Sequence, residues 1–298
     1  MNKRILCLLL AAMMVMALFT GCGDSKAPAE EPAEEPAEAP AEEPAEEPAE
    51  SIEKQDLIVF AAASLQESLT ELSSAYMAAH PEINIVLSFD SSGTLRKQIE
   101  EGSPCDIFIS ASPKHMNLID ASCDEEKNPD KQDYVLEGTR FNILENKVVL
   151  AVPEGNPKGI EGFEDLMAKL QSGEVLFAMG NEDVPVGKYT SKILAHFGVD
   201  EKAVASCITY GSNVKEVASQ ITEAAVDCGC IYLSDATSAG LDYVETATED
   251  MCGKVIYPAA VLNISEHQDE AKAFLDFLDS ADGDAAFEAV GFVPYTEG

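Results

Sequence analysis

Two segments decide the fold of this chain: LIVFAAASLQESL (residues 57–69) and LSFDSSGTLRKQI (residues 87–99). Each begins as an apolar, strand-like stretch and continues as a helix-like stretch. A serine stands at each junction, Ser64 in the first and Ser91 or Ser92 in the second. The first turn of a helix carries backbone N–H groups without partners inside the helix, together with the positive end of the helix dipole. With a hydroxyl beside them, such groups can bind an anion.

The alternation of strand-like and helix-like stretches continues to the C-terminus. Strands are predicted at 57–62, 84–89, 106–111, 147–153, 175–179, 208–210, 228–233 and 255–261, with helices between most of them. Repeated strand–helix units indicate an α/β fold with mostly parallel sheets and helices on both faces. About nine strands are more than one compact unit usually holds, so we expect two lobes.

Two apolar stretches are predicted to be the strands that cross between the lobes. KVVLAVP (147–153) and VIYPAAVL (255–262) bracket a self-contained α/β segment. This places lobe one at 56–150 and 256–298, and lobe two at 151–255. Ligands of such folds bind beyond the carboxyl ends of the strands, which here is the cleft between the lobes.

Lobe two contains three further junctions of the same kind, at 184–194, 211–221 and 231–236. The first places Val186 at the start of a helix, where Gly187 allows close approach of the backbone. The second places Val214 in a first helical turn, after Ser212 and Asn213 as capping residues. In the third, Tyr232 lies at the end of a predicted strand, and its phenol can donate a hydrogen bond. With Ser64 and Ser92, these positions make five candidate donors to one anion.

The N-terminus is typical of an exported lipoprotein. Lys3 and Arg4 precede an apolar run, and Cys22 follows a small residue at the predicted cleavage site. A lipid on Cys22 would hold the mature protein at a membrane. A plain signal peptide or an uncleaved anchor is the alternative. Residues 1–22 are therefore predicted to be a signal peptide and to lie outside the fold.

Residues 23–55 form a low-complexity tether of Ala and Glu with a proline at every fourth position from Pro28 to Pro48. They hold 12 acidic residues against Lys26 and Lys54, which contributes -10 to a net charge of -35. Charge repulsion and the prolines favour an extended spacer. The remainder of the chain is also acidic, which excludes nucleic acid as an expected partner.

Six cysteines remain once Cys7 leaves with the signal peptide and Cys22 is assigned to the lipid. They are Cys105, Cys123, Cys207, Cys228, Cys230 and Cys252. Disulfides are compatible with export. The spacings are irregular, however, and no histidine or second cysteine pair accompanies 228–230 at metal-site spacing. We therefore favour buried free thiols over disulfides.

Six motifs together resemble the periplasmic molybdate-binding proteins, the solute receptors of molybdate ABC transporters. In chain order they are FAAASL (60–65), FDSSGTL (89–95), CDIFISAS (105–112), VPVGKY (184–189), NVKEV (213–217) and IYLSDA (231–236). The resemblance covers nearly all of 56–298 and implies the two-lobed periplasmic-binding-protein fold. The tether and residues 123–133 lie outside the matching segments.

The resemblance also implies a function for the five candidate positions. Ser64 and Ser92 would bind the oxyanion through hydroxyl and backbone N–H, Val186 and Val214 through backbone N–H, and Tyr232 through its phenol. Ser91 or Gly93, which flank Ser92, is the alternative if the alignment slips by one residue. The oxyanion would be held by hydrogen bonds alone, without direct metal ligands, catalytic residues or a cofactor.

The expected protein is therefore a monomeric, lipid-anchored extracytoplasmic receptor that binds molybdate and tungstate and delivers them to an ABC permease. A receptor for another oxyanion, such as sulfate, is an alternative. A carboxylate receptor would need an arginine in the cleft, and neither Arg96 nor Arg140 stands at a junction. A non-transport oxyanion sensor or an enzyme on the same scaffold is the alternative of a different class, although no Gly-x-Ser-x-Gly elbow surrounds a serine.

Overall fold

The computed structural model describes residues 54–296, and within this range the chain forms eleven β-strands and ten α-helices. The strands are β1 (Gln55–Ala62), β2 (Ile83–Asp90), β3 (Ile107–Ile109), β4 (Phe141–Asn146), β5 (Val148–Val152), β6 (Phe177–Gly180), β7 (Ile208–Gly211), β8 (Cys228–Tyr232), β9 (Asp242–Thr246), β10 (Val255–Val261) and β11 (Val293–Pro294). The helices are α1 (Gln66–Ala79), α2 (Ser92–Glu100), α3 (Pro113–Asn117), α4 (Phe163–Ser172), α5 (Pro185–His196), α6 (Val214–Thr222), α7 (Leu233–Ala239), α8 (Glu249–Cys252), α9 (Gln268–Leu278) and α10 (Ala281–Ala289).

The first sheet has the strand order β11-β4-β10-β3-β1-β2. Strand β1, which lies between β3 and β2, is apolar on both faces: Leu57, Val59 and Ala61 contribute to one hydrophobic cluster, and Phe60 to a second. Burial on both faces is typical of a sheet covered by helices on each side. This sheet with its helices is lobe one.

The second sheet has the strand order β7-β6-β8-β5-β9 and, with its helices, is lobe two. Helix α6 shows how the helices pack: Val214, Val217, Ala218 and Ile221 are buried at the i, i+3, i+4 and i+7 spacing of one helical face. The two-lobed α/β fold predicted from the alternation of strands and helices is therefore confirmed.

Both sheets are mixed, which corrects the prediction of mostly parallel sheets. In each, three neighbouring strands are parallel, β2-β1-β3 in the first and β7-β6-β8 in the second. The strands that enter from the other lobe, β10 and β5, run antiparallel to them. The sequence interpretation missed the short or half-exposed strands β4, β9 and β11, which add further antiparallel pairs.

The chain first passes between the sheets at Lys147. Strand β4 belongs to the first sheet, whereas β5 pairs with β8 and β9 in the second. The stretch KVVLAVP therefore belongs to lobe two, and the change of sheet occurs three residues before the predicted boundary at 150. The return follows α8, and β10 rejoins the first sheet at Val255, one residue before the predicted boundary.

The signal peptide, Cys22 and nearly all of the tether lie outside the described residues. Between residues 54 and 296, no helix is long and apolar enough to cross a membrane. All six cysteines of this range are free thiols, five of them buried, as the sequence favoured. No cluster of His, Cys, Asp and Glu with the geometry of a metal site occurs in the same range.

Candidate functional site

A small cavity lies where the strand–helix junctions of the two lobes meet. It encloses about 190 Å³ of space free of protein atoms, its mouth included. Sites for drug-sized ligands are much larger, so this cavity has room for a small ion at most. Its wall comprises Ala62, Ala63, Ser64, Asp90, Ser91, Ser92, Ala111, Val184, Pro185, Val214 and Tyr232.

Ser64 occupies a short 3₁₀ turn, residues Ala63–Leu65, between β1 and α1, and is buried. Its Oγ lies 2.8 Å from the phenol oxygen of Tyr257 on β10. That phenol oxygen also accepts a hydrogen bond of 3.3 Å from the side-chain amide of Asn146. If Tyr257 donates its own hydrogen to Ser64, the hydroxyl hydrogen of Ser64 remains available to a ligand in the cavity.

Ser92 has an equivalent arrangement in the first turn of α2. Its Oγ accepts a hydrogen bond of 2.9 Å from the backbone N–H of Ala111, next to β3. Since the oxygen already accepts from a protein donor, the hydroxyl hydrogen is available for a ligand. Ser92 is fully buried, and both Ser92 and Ala111 lie on the cavity wall.

The neighbouring Ser91 has a different role, which distinguishes it from Ser92. It is the N-cap of α2: its Oγ accepts from the Thr94 backbone N–H at 3.1 Å and lies 2.8 Å from the Thr94 hydroxyl. Its backbone N–H donates to Asp90 Oδ1 at 2.6 Å. The backbone N–H of Ser91 is therefore engaged by Asp90, and its side chain has Thr94 as a partner, whereas the hydroxyl hydrogen of Ser92 has no partner among the described residues.

Lobe two contributes the first turns of α5 and α6. Val214 is the first residue of α6 and lies on the cavity wall, with Asn213 as the side-chain cap. Val186 is buried in the first turn of α5, but the wall is formed by its neighbours Val184 and Pro185. The structure thus brings four of the five predicted residues to the cavity, and Val186 lies just behind the wall.

Tyr232 ends β8 and is 1% exposed. Its phenol oxygen has no hydrogen-bond partner among the described residues. Burial raises the pKa of this phenol well above its ordinary value, so the group remains protonated and can donate. An unpaired buried hydroxyl costs about 1–3 kcal/mol. The cavity wall therefore contains one donor whose hydrogen bond is not satisfied by protein.

No lysine, arginine or histidine is present among the wall residues, and Asp90 is the one carboxylate there. The Asp90 carboxylate accepts the Ser91 N–H and a 3.4 Å hydrogen bond from the Asn213 side chain. Any anion bound in this cavity would consequently be held by neutral hydroxyl and N–H donors. Helix first turns supply the favourable dipoles.

Contacts across the cleft show that the two lobes are closed over the cavity. The Gly93 N–H in α2 donates to the Asp183 carbonyl of lobe two at 3.2 Å, and the Lys97 ammonium lies 2.6 Å from the Asp183 carboxylate. The Lys215 ammonium of lobe two lies 2.6 Å from Glu67 of lobe one and 3.0 Å from the buried carboxylate of Asp235.

The close approach of the backbone that was predicted at Gly187 is observed. A Cβ at this position would lie 2.2 Å from the carbonyl oxygen of Gly180, so only glycine allows α5 to begin this close to the end of β6. Gly93 is equally constrained, since a Cβ there would lie 2.4 Å from the Asp183 carbonyl oxygen. Both glycines stand at the junctions that surround the cavity.

Sequence reasoning missed Tyr257 and Asn146, which do not line the cavity but orient Ser64. Asn146 also donates a 2.9 Å hydrogen bond to the Ser234 hydroxyl, so it connects β4 with the start of α7. The one signal for Tyr257 was a lone phenol in an otherwise apolar crossing strand. Asn146 gave no signal, because the strand that contains it was not predicted.

A protein-family model described as bacterial extracellular solute-binding protein matches residues 57–293. The chain is 31% identical over 245 residues to YvgL of Bacillus subtilis (strain 168), which carries the provisional name of an ABC transporter substrate-binding lipoprotein; the match covers 81% of this chain and 88% of that protein. It is 30% identical over 241 residues to the molybdate-binding protein ModA of Escherichia coli (strain K12), covering 79% and 88%. The fold superposes on the periplasmic molybdate-binding protein of Azotobacter vinelandii with a TM-score of 0.67 at 22% identity, covering 80% and 100%.

Proposed function

Because this chain belongs to the family of bacterial extracellular solute-binding proteins, we propose that it is the molybdate and tungstate receptor of an ABC transporter. The observation that carries the proposal is the unpartnered, buried Tyr232 hydroxyl on the wall of a small cavity between closed lobes. Ser64 and the first residues of three helices, Ser92 of α2, Pro185 of α5 and Val214 of α6, line the same space. The curated relatives named for molybdate binding support the choice of anion.

The donor set favours a fully deprotonated oxyanion. An anion enclosed in the cleft loses its hydrogen bonds to water. Only fixed donors of the protein can replace them. The Ser92 oxygen accepts from the Ala111 N–H, and the Ser64 oxygen can accept from the Tyr257 phenol, an arrangement that leaves both hydroxyl hydrogens for a ligand. The wall therefore offers hydrogens to a ligand and few free acceptors. A ligand that retains an acidic proton would find little to accept it.

Size would distinguish molybdate from sulfate. Mo–O bonds are longer than S–O bonds, so donors that fit the larger tetrahedron hold the smaller one with stretched hydrogen bonds. Hydrogen bonds weaken steeply when their geometry departs from the optimum. Tungstate has nearly the size of molybdate, so both should bind with similar affinity.

The site is better suited to binding than to catalysis. Its wall contains no histidine, cysteine or lysine that would activate Ser64 or Ser92 as a nucleophile. The Ser92 oxygen instead accepts a hydrogen bond from the Ala111 N–H, which lowers its nucleophilicity. Together with membership of a solute-binding family, this arrangement supports a receptor and disfavours an enzyme on the same scaffold.

The N-terminal sequence supports a location outside the cytoplasm, attached to a membrane. A lipid on Cys22 and an extended tether over 23–55 would hold the folded part near a membrane permease while leaving it free to capture solute. The relative named as a substrate-binding lipoprotein is consistent with this anchor. Closure of the lobes would then present the loaded receptor to the permease.

Isothermal calorimetry on the purified, ligand-free protein tests the proposal. We expect molybdate and tungstate to bind with similar affinity, and sulfate and phosphate to bind at least 100-fold more weakly, about 2.7 kcal/mol. Preferential binding of sulfate would assign the protein to another oxyanion. Binding of none of the four anions, after dialysis under conditions that release retained ligand, would refute the proposal.

A further inference from the structure

A second, larger groove adjoins the cavity at the rim of the cleft. It encloses about 1600 Å³ of space free of protein atoms, open solvent included. Helix α3 of lobe one and helix α5 of lobe two form its sides, and Pro185 belongs to the walls of both the groove and the cavity. The groove therefore lies directly beside the proposed binding site, and both lobes contribute to it.

The charge of this groove is opposite to that of the protein. Residues 56–298 contain 42 acidic and 15 basic residues, which gives a net charge of -27. Yet five of the 13 lysines in this range line the groove, against one carboxylate, Glu126. The five are Lys114, Lys127, Lys188, Lys192 and Lys254.

Three of these lysines have no carboxylate within 4 Å among the described residues. Lys127 pairs with Asp124 and Lys254 with Glu145. Lys192 donates to a backbone carbonyl, that of Cys252, at 3.2 Å. No such contact is formed by the ammonium groups of Lys114 and Lys188 within the part of the chain that the structure describes. The positive charge of the groove is therefore not neutralised locally.

His115 provides a second and independent observation. It lines the groove, is 3% exposed, and neither ring nitrogen has a partner within residues 54–296. Burial and the cations Arg96, Lys114 and Lys188 lower the pKa of His115 to about 4. At neutral pH the ring is therefore uncharged and carries one N–H donor. A buried polar ring without partners is uncommon unless water or a ligand satisfies it.

We propose that this groove is an outer anion-binding site, in which Lys114, Lys188 and His115 hold an oxyanion transiently before it enters the cavity. The oxyanion class rests on the proposed function. The physical reason is the net charge: a dianion that approaches a surface of charge -27 is repelled, and a local patch of lysines reverses this repulsion at the mouth of the cleft. The site would raise the association rate, while the neutral donors of the cavity determine specificity.

The first test observes the groove directly through the His115 imidazole by NMR, with sulfate as the probe at constant ionic strength and pH 7.5. We expect the His115 signals to shift with millimolar sulfate in the wild type. The shift should be lost in the Lys114→Gln/Lys188→Gln variant. It should persist in the Lys202→Gln/Lys272→Gln control, which removes the same charge from exposed positions, one in each lobe.

The second test measures association of molybdate by stopped-flow tyrosine fluorescence, since the chain has eight tyrosines and no tryptophan. In low salt, the Lys114→Gln/Lys188→Gln variant should associate on the order of 3–10-fold more slowly than the control variant. The difference should disappear in about 0.5 M salt, because screening removes electrostatic steering. The dissociation rate should be the same in both variants.

The proposal is overturned if sulfate does not shift the His115 signals, or if it shifts them equally in the two double variants. Equal association rates of the two variants in low salt would also overturn it. Failure of the proposed function has a different signature: molybdate would give no tight binding at all, while the sulfate titration of His115 would still report on the groove.

Discussion

The phenol oxygen of Tyr257 lies 2.8 Å from the hydroxyl oxygen of Ser64, although 193 positions separate the two residues in the chain. The Asn146 amide donates to the same phenol, so three buried side chains form a chain of hydrogen bonds that ends at the cavity. When Tyr257 donates its own hydrogen to Ser64, the Ser64 hydroxyl hydrogen is left for a ligand in the cavity. We therefore expect Tyr257, which does not itself line the cavity, to act on ligand binding through Ser64.

Removal of either partner should weaken molybdate binding, and the two effects should not add. Ser64→Ala removes a donor and should cost about 1–3 kcal/mol of binding free energy. Tyr257→Phe leaves the donor but loses its orientation, and should cost about 1 kcal/mol. Because the two residues act as one unit, the double variant should resemble Ser64→Ala alone in calorimetry. Strictly additive losses would show that Tyr257 does not act through Ser64.

Tyr232→Phe should have opposite effects on the ligand-free and the liganded protein. The Tyr232 hydroxyl is buried without a partner, so its removal should stabilise the ligand-free protein by about 1 kcal/mol in chemical denaturation. The same change should weaken molybdate binding by about 1–3 kcal/mol, because a donor is lost. Tyr243→Phe, at a tyrosine that is 47% exposed, is the matched control and should change neither quantity. Unchanged affinity of Tyr232→Phe would place the ligand elsewhere.

Gly93→Ala should prevent full closure of the lobes. A methyl group at Gly93 would lie 2.4 Å from the carbonyl oxygen of Asp183, which belongs to the opposite lobe. We expect molybdate affinity to fall at least tenfold, mainly through faster dissociation, about 1.4 kcal/mol. The clash lies between the lobes and not within one of them, so the variant should still fold and should retain the secondary structure of the wild type. A variant with wild-type affinity and dissociation rate would show that closure does not need this contact.

Asp235 should give the stability a measurable pH dependence. Burial raises the pKa of its carboxyl to about 6, against about 3.9 in an unfolded chain, and Lys215 offsets part of this effect. Between these two values the folded protein binds the proton more strongly, so stability falls as pH rises. From pH 5 to 7.5, the wild type should lose about 1.4 kcal/mol relative to Asp235→Asn. If denaturant titrations give the same difference in stability between the wild type and Asp235→Asn at every pH in this range, the raised pKa of Asp235 is contradicted.

Most of the fold and much of the site could be predicted from the sequence, because the strand–helix junctions are local features. Ser64, Ser92, Val214 and Tyr232 each stand where a strand-like pattern changes to a helix-like one, and all four lie on the cavity wall. Ser91 and Ser92 could not be separated by pattern alone. The role of Ser92 depends on Ala111, a partner 19 positions away, whereas Ser91 bonds to its near neighbours Asp90 and Thr94.

The features that the sequence did not reveal depend on tertiary contacts. Strands β4, β9 and β11 are short or half-exposed, so their apolar patterns are weak. The mixed character of the sheets was missed because the antiparallel direction of the predicted strands β10 and β5 is determined by their pairing with β3 and β8. The lysine groove is also invisible in a linear reading, since its lysines come from positions 114 to 254 and the chain as a whole is acidic.

Native mass spectrometry tests the central claim most directly. Any retained ligand is first removed from the purified protein. The protein is then mixed with equal concentrations of molybdate and sulfate and measured as the intact complex. We predict one added molybdate per chain in the wild type, and loss of this adduct in the Ser64→Ala/Tyr232→Phe variant. A wild-type spectrum that shows bound sulfate, or no bound anion, would contradict the account.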